Sequence, residues 1–92
     1  MTIKDFLQTG RNLGDYFRAN SNHTFNYMHF TRLLYAVMDD AQQKGRFGEY
    51  FYYKCIYVSV DLWFFEPMSL FTWRLFIHCY RRFHEEYNKL SY

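Results

Sequence analysis

Aromatic side chains occur along the whole length of this sequence, and their density limits what the chain can fold into. Phe, Tyr and Trp make up 25% of the 92 residues. Each ring brings about 150–250 Å² of surface to bury, whereas a chain of this mass removes on the order of 6,000 Å² of apolar surface from water when it folds. Together with the Leu, Ile, Val and Met side chains, the rings slightly exceed that capacity. We therefore expect a compact domain that keeps an exposed aromatic patch, which usually marks a binding face.

The length, charge and apolar stretches exclude several classes of protein. A chain of 92 residues is long enough for one domain with one core, without a stabilising metal or disulfide. Its formal net charge of +2 gives no strong field toward nucleic acid or an anionic membrane. The longest apolar stretch, residues 55–65, is too short to span a bilayer and contains Asp61. The first residues lack the apolar core of a secretory leader, so we expect no membrane association and a cytoplasmic location.

Hydrophobic periodicity predicts an all-α fold with one domain over residues 1–92. The predicted helices cover residues 3–19, 24–44, 48–65 and 68–89. Thr2 and Asp5 are spaced as a capping box at the start of the first helix, and Gly45 suits a left-handed cap after the second. Pro67 separates the last two helices. Short connections of this kind favour an antiparallel four-helix bundle with up-and-down topology.

The third helix is the ambiguous one, because residues 51–62 also alternate almost like a strand. Its length exceeds that of a typical strand, and a lone strand among helices would leave its backbone groups without partners. We therefore predict a helix. Since it is apolar on nearly all sides, it should be the most covered element, packed against its neighbours or against a second copy of the chain.

Two glycines and two cysteines leave alternatives open. Gly10 and Gly14 lie on the apolar stripe of the first helix, where each costs roughly 1 kcal/mol relative to alanine. They indicate either a weak or broken helix, or a place where another backbone or a ring approaches closely. Cys55 and Cys79 are typical of two buried thiols, although the sequence does not decide whether they form a disulfide.

The sequence shows no arrangement that carries catalysis. The four histidines lack the paired spacing of metal ligands, and the adjacent acidic pairs at residues 39–40 and 85–86 face apart on a helix. The glycines at positions 45 and 48 lack the spacing of a phosphate-binding loop. We therefore expect a non-enzymatic protein that uses no metal and no cofactor.

A basic stripe on the fourth helix is the first candidate binding site. Arg74, His78, Arg81 and Arg82 follow one another at helical spacing, opposite the aromatic stripe of the same helix. Such a face can track a phosphate backbone or pair with the carboxylates of an acidic protein. The ordinary alternative is the hydrated side of an amphipathic helix.

A group of tyrosines on the third helix is the second candidate. Tyr50, Tyr53 and Tyr57 have further aromatic neighbours all around this helix, so the rings cannot all face one core. Tyrosine and arginine dominate the energetic centres of protein–protein interfaces. The ordinary alternative is a set of boundary residues that point their hydroxyls outward.

The leading functional hypothesis is a small helical protein-binding module that occupies a surface on a larger protein or protein complex, with a homodimer formed through the third helix as a companion. In being short, aromatic-rich and without motifs, the chain resembles the accessory proteins with which phages block host machinery such as defence nucleases and CRISPR complexes. That resemblance implies an inhibitor acting in the host cytoplasm, and it assigns no site residues because it covers no motif. The alternative hypothesis is a nucleic-acid-binding regulator that uses the basic face of the last helix.

Overall fold

Four α-helices make up the fold of this protein. The structure, a computed structural model, describes residues 2–19, 23–64 and 70–90. Its helices are α1 (Ile3–Arg18), α2 (His23–Gln43), α3 (Phe47–Phe64) and α4 (Leu70–Leu90). The predicted all-α four-helix fold is confirmed, and the helix ends that fall within these ranges agree with the prediction to one residue. The predicted helical positions 65, 68 and 69 lie outside the described residues.

The predicted helix boundaries have the local interactions that the sequence indicates. At the start of α1, the Asp5 N–H donates to Thr2 Oγ1 at 3.2 Å and the Thr2 N–H donates to Asp5 Oδ2 at 2.9 Å. These hydrogen bonds hold the pKa of the Asp5 carboxyl below its usual value, because they favour its charged form. Between α2 and α3, Gly45 adopts a φ of +73°, which glycine accommodates without the steric penalty of a side chain.

Helix α3 lies at the centre of the fold. It packs against α1, α2 and α4, whereas α1 and α2 make few contacts with each other. The α1–α2 contact lies near Phe17, whose ring is 5.3 Å from that of Phe30 and 6.3 Å from that of Tyr27. The ambiguous segment 51–62 is helical, and α3 is covered by the other three helices as expected.

Pairs of neighbouring residues give the direction of each helix relative to α3. The pairs are Phe6–Tyr52 and Gly10–Ser59 for α1, Tyr27–Asp61 and Tyr35–Tyr57 for α2, and Phe51–Arg82 and Cys55–Cys79 for α4. Residue numbers rise together in the α1 pairs and in opposite directions in the others. Consecutive helices are thus antiparallel, and α1 runs parallel to α3 directly against it.

Phe6 forms the centre of the core. Its side chain is 0% exposed, and its ring meets four other rings edge-on at centroid distances of 5.3–6.5 Å. The buried residues clustered with it come from α3 and α4: Cys55, Val58, Leu62, Phe76, Cys79 and Phe83. Both cysteines are free thiols, and burial raises the pKa of Cys55 to about 12. The expectation of two buried thiols is therefore confirmed.

Helices α1 and α3 approach each other closely at Gly10. A Cβ atom added at Gly10 would lie 2.5 Å from the Ser59 carbonyl carbon and from the Ser59 Cβ. Ser59 is fully buried and its hydroxyl donates to the Cys55 carbonyl oxygen at 2.7 Å, so both its side chain and its backbone are fixed. Of the two interpretations of this glycine, the structure has the close backbone approach, and α1 continues through Gly10 unbroken.

Candidate docking face on the last helix

The outward side of α4 exposes large apolar side chains. Leu70 is 65% exposed and Phe71 is 76% exposed. On the opposite side of the same helix, Phe76, Cys79 and Phe83 are buried in the core. The helical period of 3.6 residues produces this division. It places Phe76, Cys79 and Phe83 on the core side, whereas the first turn of α4 also carries apolar residues on the outer side.

Next to these two side chains, α4 forms a shallow depression of about 330 Å³. Its lining residues are Trp73, Arg74, Ile77, His78 and Arg81. Trp73 and Ile77 are half-buried, whereas the three basic side chains are exposed. The Trp73 ring packs against the Phe76 ring at 5.7 Å, so the core holds this wall of the depression in place. We call these five residues together with Leu70 and Phe71 the α4 face.

The structure separates Arg82 from the other three predicted basic residues. Its guanidinium pairs with Glu85 at 2.7 Å and with Glu86 at 3.2 Å, and it lies 5.3 Å from the centre of the Phe51 ring on α3. Within the described ranges, by contrast, Arg74 and Arg81 make no ion pair. Arg82 therefore contributes to the α3–α4 contact, while the other basic residues of the stripe face solvent.

The predicted tyrosines lie elsewhere and are half-buried. Tyr50 and Tyr57 line a second groove, of about 250 Å³, between α2 and α3. The Lys54 ammonium donates to the Tyr50 hydroxyl at 3.3 Å, and the Tyr35 hydroxyl donates to that of Tyr57 at the same distance. The Tyr53 ring packs against Tyr52 at 5.3 Å. These rings therefore contribute to packing at the edge of the bundle, and the groove that two of them line is separate from the α4 face.

A half-buried carboxylate in the α2–α3 contact is a feature that the sequence reasoning did not identify as part of a site. The Tyr27 hydroxyl donates to Asp61 Oδ1. Burial raises the pKa of the Asp61 carboxyl, although the hydrogen bond from Tyr27 acts in the opposite direction. Burial and the neighbouring carboxylate also raise the pKa values of the Tyr27 and Tyr57 hydroxyls. The only sequence signal is one acidic residue within an apolar stretch, and its partner lies 34 positions away.

Neither a metal site nor a membrane span is found in the part of the chain that the structure describes. Among these residues, no three His, Cys, Asp or Glu side chains are grouped so that they could hold a metal ion. None of the described helices combines the length and the apolar character needed to cross a bilayer.

No protein-family model, no curated protein and no solved structure matches the chain.

Proposed function

We propose that this protein is a non-enzymatic binding module that docks on a larger protein through the α4 face. The observation that supports this most strongly is the exposure of Leu70 and Phe71 in adjacent positions, at 65% and 76%. Burying a side chain of this size stabilises a complex by about 1.5–3 kcal/mol. The two side chains adjoin the depression that holds Arg74 and Arg81, and aromatic residues and arginine are enriched at interface centres.

A second exposed apolar pair, on α2, supports docking less well. Leu33 is 57% exposed and Val37 is 42% exposed, so both present less surface than the α4 pair. The predicted tyrosine group is also less suitable, because Tyr50 and Tyr57 already have hydroxyl partners within the bundle. We therefore assign the docking role to α4 and use the α2 pair as a control.

The proposal is tested by affinity capture from an extract of the natural source, followed by mass spectrometry. The bait proteins are the wild type, the double variant Leu70→Ser/Phe71→Ser, and the control double variant Leu33→Ser/Val37→Ser. We expect the wild type and the control to recover the same partner and the α4 variant to lose it. Circular dichroism should show equal helix content in all three, because the substituted side chains are exposed. Equal recovery by the α4 variant would remove this face from the proposal.

The consequence of docking is a separate part of the proposal. The resemblance to phage accessory proteins implies inhibition of host machinery such as a defence nuclease or a CRISPR complex, in the host cytoplasm. Adding the purified protein to the captured partner and measuring the partner's activity distinguishes inhibition from recruitment. Self-association through α3 is tested by light scattering; because α3 is covered by three helices, we expect any dimer to use a different surface.

Nucleic-acid binding is the second candidate function, and the grouping of Arg74, Arg81 and Trp73 in one depression favours it. Arginines contact phosphates, and an aromatic ring stacks on an unpaired base. The test is fluorescence anisotropy with single-stranded and duplex oligonucleotides across a range of salt concentrations. Binding that falls steeply with salt supports phosphate contact, whereas absence of binding at low salt excludes it.

A further inference from the structure

We propose that the partner of the α4 face is an acidic protein segment, which places carboxylates on Arg74 and Arg81 and an apolar side chain in the depression between Trp73 and Ile77. This inference rests on the proposed docking function and adds the chemistry of the partner. Three features of the α4 face support it: its positive charges, the spacing of its two arginines and its apolar side chains.

The α4 face has positive charges that are not balanced within it. Arg74 and Arg81 are exposed, and none of the seven residues of the face is acidic. The nearest carboxylates that follow on α4, those of Glu85 and Glu86, already pair with Arg82. Among the described residues, the two arginines of the face therefore keep their donors available, and a partner with the opposite charge gains both orientation and association rate.

The spacing of the two arginines suits a regular polypeptide. Arg74 and Arg81 are seven residues apart on one helix, which corresponds to a rise of about 10 Å. Carboxylates at positions i and i+7 of a partner helix have the same separation. Each guanidinium can bind a carboxylate through two parallel hydrogen bonds, so two such pairs fix the direction and register of the partner.

The apolar part of the face favours a protein over a nucleic acid. Phe71 and Trp73 could each stack on a base, but Leu70 is aliphatic, 65% exposed, and offers no ring for stacking. A segment with apolar side chains between its acidic residues buries Leu70 and Phe71 as well as neutralising the arginines. A strand of nucleic acid leaves the exposed Leu70 side chain in water, and the formal net charge of +2 is low for a dedicated nucleic-acid domain.

The experiment measures the affinity of defined probes for the purified protein by fluorescence anisotropy. The face extends from Leu70 to Arg81, about 16 Å, so peptides of about a dozen residues cover it. The first probe is a peptide in which glutamates on successive helical turns are separated by leucines. The second probe has glutamine in place of each glutamate, and the third is an oligothymidylate. We expect the acidic peptide to bind at least about tenfold more tightly than the other two probes, and raised ionic strength to reduce this advantage.

Charge-reversed variants locate the binding on the face. The variant Arg74→Glu/Arg81→Glu should weaken binding of the acidic peptide by at least about tenfold and should bind a lysine–leucine peptide in its place. The control Lys4→Glu/Arg32→Glu changes the net charge equally at exposed cations of α1 and α2 and should retain most of the affinity. Tighter binding of the oligothymidylate, or equal losses in both variants, would overturn the acidic-partner proposal.

Failure of the acidic-partner proposal can be distinguished from failure of the proposed docking function. If the Leu70→Ser/Phe71→Ser variant loses its captured partner but Arg74→Glu/Arg81→Glu retains it, the face docks a protein whose recognition does not depend on carboxylates. In that case the docking function stands and the inference about the partner's acidity is wrong.

Discussion

Phe6 and Phe71 have the same side chain in opposite environments, and the contrast separates what folds this protein from what is available for binding. Phe6 is sealed among four rings from α3 and α4, whereas Phe71 is 76% exposed on the outward side of α4. The sequence contains more aromatic surface than its core requires, and this pair shows how the surface is divided. Burial around α1 and α3 supplies the stability, and the outward side of α4 holds part of the excess.

The most direct test of this contrast is the same substitution in both places. Phe6→Ala removes a ring from the centre of the core and should lower the free energy of unfolding by about 4 kcal/mol. Phe71→Ala should change it by no more than about 0.5 kcal/mol, because the side chain is exposed. Urea unfolding followed by circular dichroism measures both values. Similar losses in the two variants would mean that Phe71 also contributes to the core.

The second test concerns the close approach of α1 and α3 at Gly10. Gly10→Ala places a methyl group 2.5 Å from Ser59 backbone and side-chain atoms, and neither can move aside easily in the buried crossing. We expect a loss of about 2–3 kcal/mol through overpacking, even though alanine is the better helix former. Urea unfolding measures the loss. An increase in stability would show that α1 and α3 separate without cost at this point.

The third test uses the pH dependence of the α2–α3 contact. The folded protein raises the pKa of the Asp61 carboxyl, so the native state binds the proton more tightly than the unfolded chain. The stability contributed by this group is therefore present at low pH and is lost as the pH rises through the folded-state pKa. Compared with Asp61→Asn, the wild type should lose stability between acidic and neutral pH. Because Asp61 is partly exposed, we expect a change below about 1 kcal/mol.

The difference between the two stability–pH curves, measured by urea unfolding, is the quantity that tests this expectation. A difference that stays constant with pH would show that water solvates the carboxylate as well in the folded protein as in the unfolded chain.

The smallest expected effect compares two arginines of one helix. Arg82 pairs with Glu85 and Glu86, so Arg82→Gln should cost about 0.5 kcal/mol, as is usual for ion pairs at this spacing. Arg74→Gln should leave the free energy of unfolding unchanged and should instead weaken binding of the acidic peptide. Thermal unfolding and peptide titration of both variants measure the two effects. If Arg82→Gln weakened peptide binding and Arg74→Gln lowered the stability instead, Arg82 would belong to the α4 face.

Local sequence patterns predict the helices well and their packing less well. The capping residues Thr2 and Asp5, the cap at Gly45 and the apolar periodicity each act within a few residues, so they can be read directly from the sequence. The core position of α3 also follows, because a helix that is apolar on nearly all sides has to be covered. The contact of Gly10 with Ser59 joins residues 49 positions apart, and the sequence offered only the unexplained glycine as a signal.

The sequence predicted only part of the candidate site, because periodicity within a helix can be read locally and contacts between helices cannot. Arg74, His78 and Arg81 share one side of α4 by helical periodicity, and the structure brings them together. Arg82 is rotated farther around the helix, where contacts with Phe51 and the acidic residues hold it. Leu70 and Phe71 were not part of the predicted site, and the structure shows both of them exposed.

The position of α3 in the chain has a consequence for synthesis on the ribosome. The element that holds the other three together is made third, so α1 and α2 emerge before the surface that buries them exists. The partners of Phe6 lie on α3 and α4, the last of them being Phe83, and such long-range contacts cannot form until α4 has been synthesised. During translation the aromatic segments of α1 and α2 are therefore expected to be exposed to chaperones and to other nascent chains until α4 emerges.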